Sequence, residues 1–130
     1  MDLILDTHAL IWFINGDQQL PGKSIQLIQN LENKCFISIA SIWEIAIKLS
    51  LGKLELYGGF DEISKIITRY EFELLPVTFN HIQTLLTLDY HHRDPFDRII
   101  ISQGISEKLV IVTKDVNFVR YNAETIWNLS

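Results

Sequence analysis

Five acids stand where a carboxylate can do chemistry: Asp6, Glu44, Asp94, Asp97 and Asp115. Asp6 closes the apolar run Leu3-Ile4-Leu5. Asp115 follows Leu109-Val110-Ile111-Val112-Thr113 after one intervening residue. Glu44 comes just after a second apolar run, and Asp94 and Asp97 precede Ile99-Ile100-Ile101, on the way into the run at 109–113. A carboxylate at the end of a buried strand suits a cleft better than a core. In open α/β sheets, ligands bind beyond the carboxyl ends of the strands, where strand order reverses. No matching set of bases accompanies these acids. Packed at one rim they would repel and raise each other's pKa values. A hard divalent cation relieves that repulsion, and Mg2+ or Mn2+ takes one or two carboxylates plus waters and substrate phosphate oxygens.

Each acid also has a purely local reading. Ser41 and Glu44 match a capping box. Asp94 can be an N-cap, with Pro95 at the first helical position, and Asp97 in the first turn favours the helix dipole. Asp6 can cap the turn that follows it, and Asp115 can be a turn residue. Only as a set do the acids point to a metal.

The elements that must position them alternate. Leu3-Ile4-Leu5 and Leu109–Thr113 lack polar alternation, as in strands buried on both faces of a parallel sheet. Between them, Ala9–Phe13 reads as a short buried helical turn, broken by Asn15-Gly16-Asp17. A helix is expected from about Gly22 to Glu32, with Ile25, Ile28 and Leu31 inward. Cys35–Ile39 reads as a second strand, and a helix begins at Ser41 and closes at Gly52. Asp61 can cap a helix carrying Ile63, Ile66, Ile67 and Tyr70. Glu73–Val77 reads as a short strand whose Pro76 favours a sheet edge. Thr78 then caps a helix with Ile82, Leu85 and Leu86 inward. Val116–Arg120 forms a turn or short helix, and Thr125–Trp127 a fifth strand. This alternation predicts a parallel sheet with helices on both faces. If the first and fourth strands are neighbours, Asp6 and Asp115 face each other across the switch point.

Composition narrows the class. The 130 residues suit a single domain over 1–130, and 48% apolar content suits a folded one. A net charge of −5 does not announce nucleic-acid binding, although acids loaded with divalent cations invert the local charge. Cys35 is the sole cysteine, so neither an intrachain disulfide nor a zinc set is available, and a buried apolar role is expected. No signal peptide or membrane span is evident, and a cytoplasmic protein is expected. Other phosphate chemistries fit poorly. A haloacid-dehalogenase-type enzyme needs an aspartate where His8 stands. A receiver domain needs one near Val77-Thr78. No P-loop occurs, and the chain is short for a flap-endonuclease relative.

The stretches LILDTHALIWF, SIWEIAIK, HRDPFDRIIISQ and LVIVTKD, in that order, resemble the PIN-domain family, and most nearly its VapC-type ribonuclease toxins. The resemblance implies a three-layer α/β/α sandwich on a mainly parallel sheet of about five strands. It places the family's acidic quartet on Asp6, Glu44, Asp97 and Asp115, with Asp94 as an extra metal ligand or the helix cap. Thr7 and Thr113 fit its supporting hydroxyl positions. It implies a metal-dependent endoribonuclease holding one or two Mg2+ or Mn2+ ions, in which an activated water attacks phosphorus and leaves a 5′-phosphate and a 3′-hydroxyl. It also implies a separately encoded antitoxin that blocks the cleft, a homodimer formed through apolar residues of the first helices, and tRNA or rRNA as substrate.

Arg93, Arg98, Lys48, Lys53 and Lys114 lie near the acids in sequence and are candidates for gripping RNA phosphates. His91 and His92 could instead serve a metal-free ribonuclease giving a 2′,3′-cyclic phosphate, but a flexible pair on one loop is a poor acid–base arrangement. A surface or RNA-contact loop fits them better. His8 is expected to be packed or hydrogen-bonded, and Trp12, Trp43 and Trp127 to be core. The alternative function is a non-catalytic RNA- or protein-binding scaffold of the same fold, against which the intact carboxylates argue.

Overall fold

Leu3, Ile4 and Leu5 are all buried, which a strand covered on both faces requires. They form β1 (Asp2–Leu5) of a computed structural model that describes residues 1–128. The chain continues through α1 (Thr7–Asn15), α2 (Gly22–Gln29), β2 (Lys34–Ser38), α3 (Ile39–Ser50), α4 (Glu62–Arg69) and β3 (Glu73–Leu75). It ends with α5 (Phe79–Leu86), α6 (Pro95–Glu107), β4 (Val110–Val112), α7 (Val116–Val119) and β5 (Thr125–Ile126). The sheet order is β3-β2-β1-β4-β5 and every pairing is parallel. β3 is an edge strand, as Pro76 directly after it suggested. The order reverses between β1 and β4, so the crevice beyond their carboxyl ends is the switch point.

Two apolar clusters flank the sheet. Leu3, Leu5, Ile37 and Val112 face the layer carrying Ala9, Leu10 and Ile14 of α1, Ile28 of α2, and Ile63 and Ile66 of α4. Ile4 and Ile111 point the other way, onto Ile100 and Ile101 of α6 and Phe118 of α7. Helices thus cover both faces, which makes the three-layer sandwich. Cys35 is buried, and burial pushes its thiol up to about 12.

Several local expectations are corrected. α2 stops at Gln29, and Leu31 lies outside it, exposed. Asn30 ends the helix by taking the Glu32 N–H on its side chain at 3.0 Å. α3 starts at Ile39 and not at Ser41, because the Ser38 hydroxyl accepts the Ala40 N–H at 3.1 Å. Ser41 and Glu44 therefore make no capping box. Asp61 occupies the cap position of α4 without a side-chain cap bond. Thr78 does cap α5, in a reciprocal pair with the buried His81, yet Ile82 and Leu86 point outward. Trp43 is 64% exposed, whereas Trp12 and Trp127 pack edge to face. Among the described helices, α3, α5 and α7 carry large exposed apolar side chains, and α1 and α2 do not. Ile39, Trp43, Ile47 and Leu51 form an outward row at four-residue spacing. Among the described residues no helix is long and apolar enough to cross a membrane.

Candidate active site

The site begins with what each acid does for its own backbone. Asp6 is the N-cap of α1, its Oδ1 accepting the Ala9 N–H at 2.8 Å. Asp115 caps α7, its Oδ1 accepting the Asn117 N–H at 2.8 Å. Asp94 caps α6, its Oδ1 accepting the Asp97 N–H at 3.0 Å, with Pro95 directly after it. The capping reading of Asp6 and Asp94 is therefore correct, Asp115 caps a helix where a turn residue was expected, and capping also gathers the three. Helices that follow β1 and β4 must start at the carboxyl rim of the sheet. α6 runs into β4, so its own start returns to that rim.

Asp6 is nearly inaccessible. Burial raises its pKa most, while the Thr113 hydroxyl, which donates to Asp6 Oδ2 at 2.5 Å, and the Ala9 N–H lower it. The same Thr113 oxygen accepts the Asp115 N–H at 3.0 Å, so one hydroxyl joins the first and last acids. Thr7 donates to Ser41 Oγ at 3.1 Å, tying α1 to α3.

Asp97 is strongly perturbed as well, pushed up to about 8. Burial is the largest cause, followed by repulsion from Asp94, Asp6, Glu44 and Asp115. The acids spread along the sequence are thus close enough in space to feel one another. Glu44 sits in the second turn of α3, a turn later than expected, and is buried. Its Oε2 pairs with Lys48 at 3.2 Å, and its Oε1 is buried without a hydrogen-bond partner.

This donor set fits a divalent cation. A buried Glu44 oxygen without a partner, close to an Asp97 that the neighbouring acids repel, lacks a positive charge. Among the described residues no three acids, histidines or cysteines already close into a ligand shell. Mg2+ does not need one, because it binds through one or two carboxylates and keeps several waters.

The histidines and basic residues are distributed unequally. His92 is brought to the acids: its Nε2 lies 3.4 Å from Asp97 Oδ2 and its Nδ1 2.7 Å from the Tyr121 hydroxyl. His91 packs edge-on to Tyr121. Arg98 is a correction. It is only 4% exposed, and its guanidinium donates to the Asp89 carbonyl at 2.9 Å and to Tyr121 at 3.0 Å, so it cannot grip an external phosphate. Lys48 is committed to Glu44. Arg93, Lys53 and Lys114 are exposed. His8 is exposed too, at the mouth of the site, with its ring against that of Trp12. Tyr121 escaped the sequence reading because it lies 29 residues beyond His92 and no local pattern links them.

The family described as PIN domain matches residues 3–124. No curated protein matches significantly. Solved structures do. VapBC2 from Rickettsia felis bound to a promoter DNA fragment is similar at TM-score 0.75 and 18% identity, over 98% of this chain and 100% of that one. VapBC-1 from nontypeable Haemophilus influenzae is similar at 0.71 and 15%, over 97% of each chain. DNA-bound VapBC from Salmonella typhimurium is similar at 0.67 and 17%, over 97% and 96%. At these identities the likeness is one of fold, and it agrees with the five-stranded parallel sheet. With the family match running across nearly the whole sequence, the chain belongs to the PIN-domain family.

Proposed function

We propose that this PIN-domain protein is a divalent-metal-dependent endoribonuclease, the toxin of a toxin–antitoxin pair. One observation carries the reading: the Asp97 carboxyl, lifted to about 8 by burial and by the charges of Asp94, Asp6, Glu44 and Asp115. Such repulsion costs stability unless a cation offsets it.

Asp6, Asp97, Asp115 and Glu44 would hold Mg2+ or Mn2+, with Asp94 capping α6 and adding to the field. When bound, the ion supplies an acidified water and positive charge beside the phosphate. The chain does the rest. Thr113 opposes the rise that burial imposes on Asp6 and fixes its second oxygen. His92, held by Tyr121, steadies Asp97. Lys114, Arg93 and Lys53 are exposed cations and would take RNA phosphates. The products would carry 5′-phosphates and 3′-hydroxyls, and the substrate class is tRNA or rRNA.

The similarity to VapBC structures supports an antitoxin partner that covers the rim. The exposed row on α3, beside a groove of about 630 Å3 lined by Trp43, Ile82, Leu85 and Phe96, supports a homodimer. A cytoplasmic setting follows from such a partner and substrate.

The test is cleavage of pooled cellular RNA by purified, antitoxin-free protein, with Mg2+ or Mn2+ and then with EDTA. Metal-dependent cuts with 5′-phosphate ends are expected. EDTA-resistant cuts ending in cyclic phosphates would move the chemistry to His91 and His92. No cleavage would favour the binding scaffold.

A further inference from the structure

Beside the acids the rim opens into a cavity of about 320 Å3, lined by Asp6, His8, Trp12, Lys114, Asp115 and Val116. That is the small end of ligand pockets, roughly 300–1,000 Å3. Its walls differ in chemistry. Asp6 and Asp115 contribute the carboxylates of the proposed cut site. His8 and Trp12 contribute rings from one face of α1, four residues apart. Their centroids are 5.6 Å apart and their planes are inclined by 34°. Trp127 meets the Trp12 ring edge-on at 5.7 Å, which fixes its orientation. Lys114 Nζ stands 5.9 Å from the centre of the Trp12 ring. His8, Lys114 and Val116 are exposed, and Trp12 is half-buried.

Core packing does not account for an exposed imidazole and an exposed lysine around a partly open indole. Aromatic faces interleaved with a cation are the composition of single-strand nucleic-acid platforms, where rings take bases and the cation takes the backbone. We infer that this cavity is a nucleobase subsite. One unpaired base next to the scissile phosphate stacks on Trp12 and His8, and Lys114 holds a neighbouring phosphate. The inference rests on the nuclease reading above. The occupant is an unpaired nucleotide because a base inside a duplex has both faces covered by its neighbours. It adjoins the cut because the same cavity is walled by Asp6 and Asp115. The subsite would let an acidic protein select exposed loops or single strands without a broad basic face.

The experiment uses short single-stranded RNAs containing a mapped cut, in which one abasic nucleotide is moved stepwise across the flanking positions. Wild type, Trp12→Leu, Trp12→Phe, His8→Ala and Lys114→Gln are compared by kcat/KM. For wild type, the abasic nucleotide at one position beside the cut lowers kcat/KM by about tenfold, as expected for loss of one stacked base. Trp12→Leu suffers a similar loss on intact RNA and none further on that abasic RNA, whereas Trp12→Phe retains most activity. His8→Ala, at an exposed position, blunts the abasic effect even where Trp12→Leu misfolds. In Ca2+, the intact RNA quenches tryptophan fluorescence more than its duplex form does, and Trp12→Phe removes the difference. The subsite is overturned if wild type tolerates an abasic nucleotide at every flanking position, or if His8→Ala and Trp12→Leu lose equally on intact and abasic RNA. Fluorescence that responds only to a protein partner would reassign the cavity to that partner. If wild type shows no metal-dependent cleavage, the nuclease reading fails first and the subsite falls with it.

Discussion

Thr113 is the side chain whose hydrogen bond works against burial at Asp6. Burial raises the Asp6 pKa, and the Thr113 hydroxyl and the Ala9 N–H oppose the rise. Thr113→Val keeps the shape and removes the donor. It is expected to cost about 1–3 kcal/mol in stability, the range for a buried polar group left unpaired. It should also move the acid limb of the pH–rate profile upward, and cleavage rates from pH 5 to 9 check this. Asp97 gives a second dependence. Between the ordinary carboxyl value and about 8, the folded chain holds a proton that the unfolded chain has released. Stability of the metal-free protein therefore falls as pH rises through that window. Thermal melts should show the fall, and Asp97→Asn should flatten it. The aspartates were legible in the sequence because capping is a local act: Asp6, Asp94 and Asp115 each bond a backbone N–H two or three residues on. Glu44 was displaced by a turn because Ser38, not Ser41, took the first free N–H of α3. Arg98 was misjudged because its partners, the Asp89 carbonyl and Tyr121, come from separate segments.

The acids meet because of how the elements that carry them pack. α6 lies close on β4, and Gly104 makes that approach possible. A Cβ there would come within 2.8 Å of two side-chain carbons of the fully buried Ile111. Gly104→Ala is expected to destabilise by about 1–3 kcal/mol, as overpacking does. Because α6 also carries Asp97, it should weaken metal binding as well, and paired denaturation and Mn2+ titrations would show both. Ser38→Ala should cost about 0.5–2 kcal/mol through loss of the α3 cap, measured by urea unfolding. The alternation of strands and helices was readable from the apolar runs, whereas the pairing of β1 with β4 stood only as a condition, because pairing joins segments far apart in sequence. The outward faces of α3 and α5 were not readable. The row Ile39, Trp43, Ile47 and Leu51 repeats at helical spacing, and spacing does not tell a core-facing stripe from one facing outward.

For the whole molecule, that outward row is a surface that water covers poorly. Trp43→Lys is expected to shift the protein from dimer to monomer in light scattering at micromolar concentration while leaving its fold intact. A wild type that is monomeric under the same conditions would remove the dimer from the account. The larger question is how a protein of net charge −5 would handle the RNA proposed as its substrate. The arrangement answers it locally, with strand order reversing between β1 and β4 and carboxylates gathered at that one point. The most direct test is calorimetric titration of the metal-free protein with Mn2+ at pH 7, run in two buffers of different ionisation enthalpy. With Asp97 at about 8, binding should release close to one proton per site, and Asp97→Asn should bind more weakly and release almost none. Absence of Mn2+ binding, or the same affinity and proton release in Asp97→Asn, would contradict a carboxylate-held metal as the centre of this site.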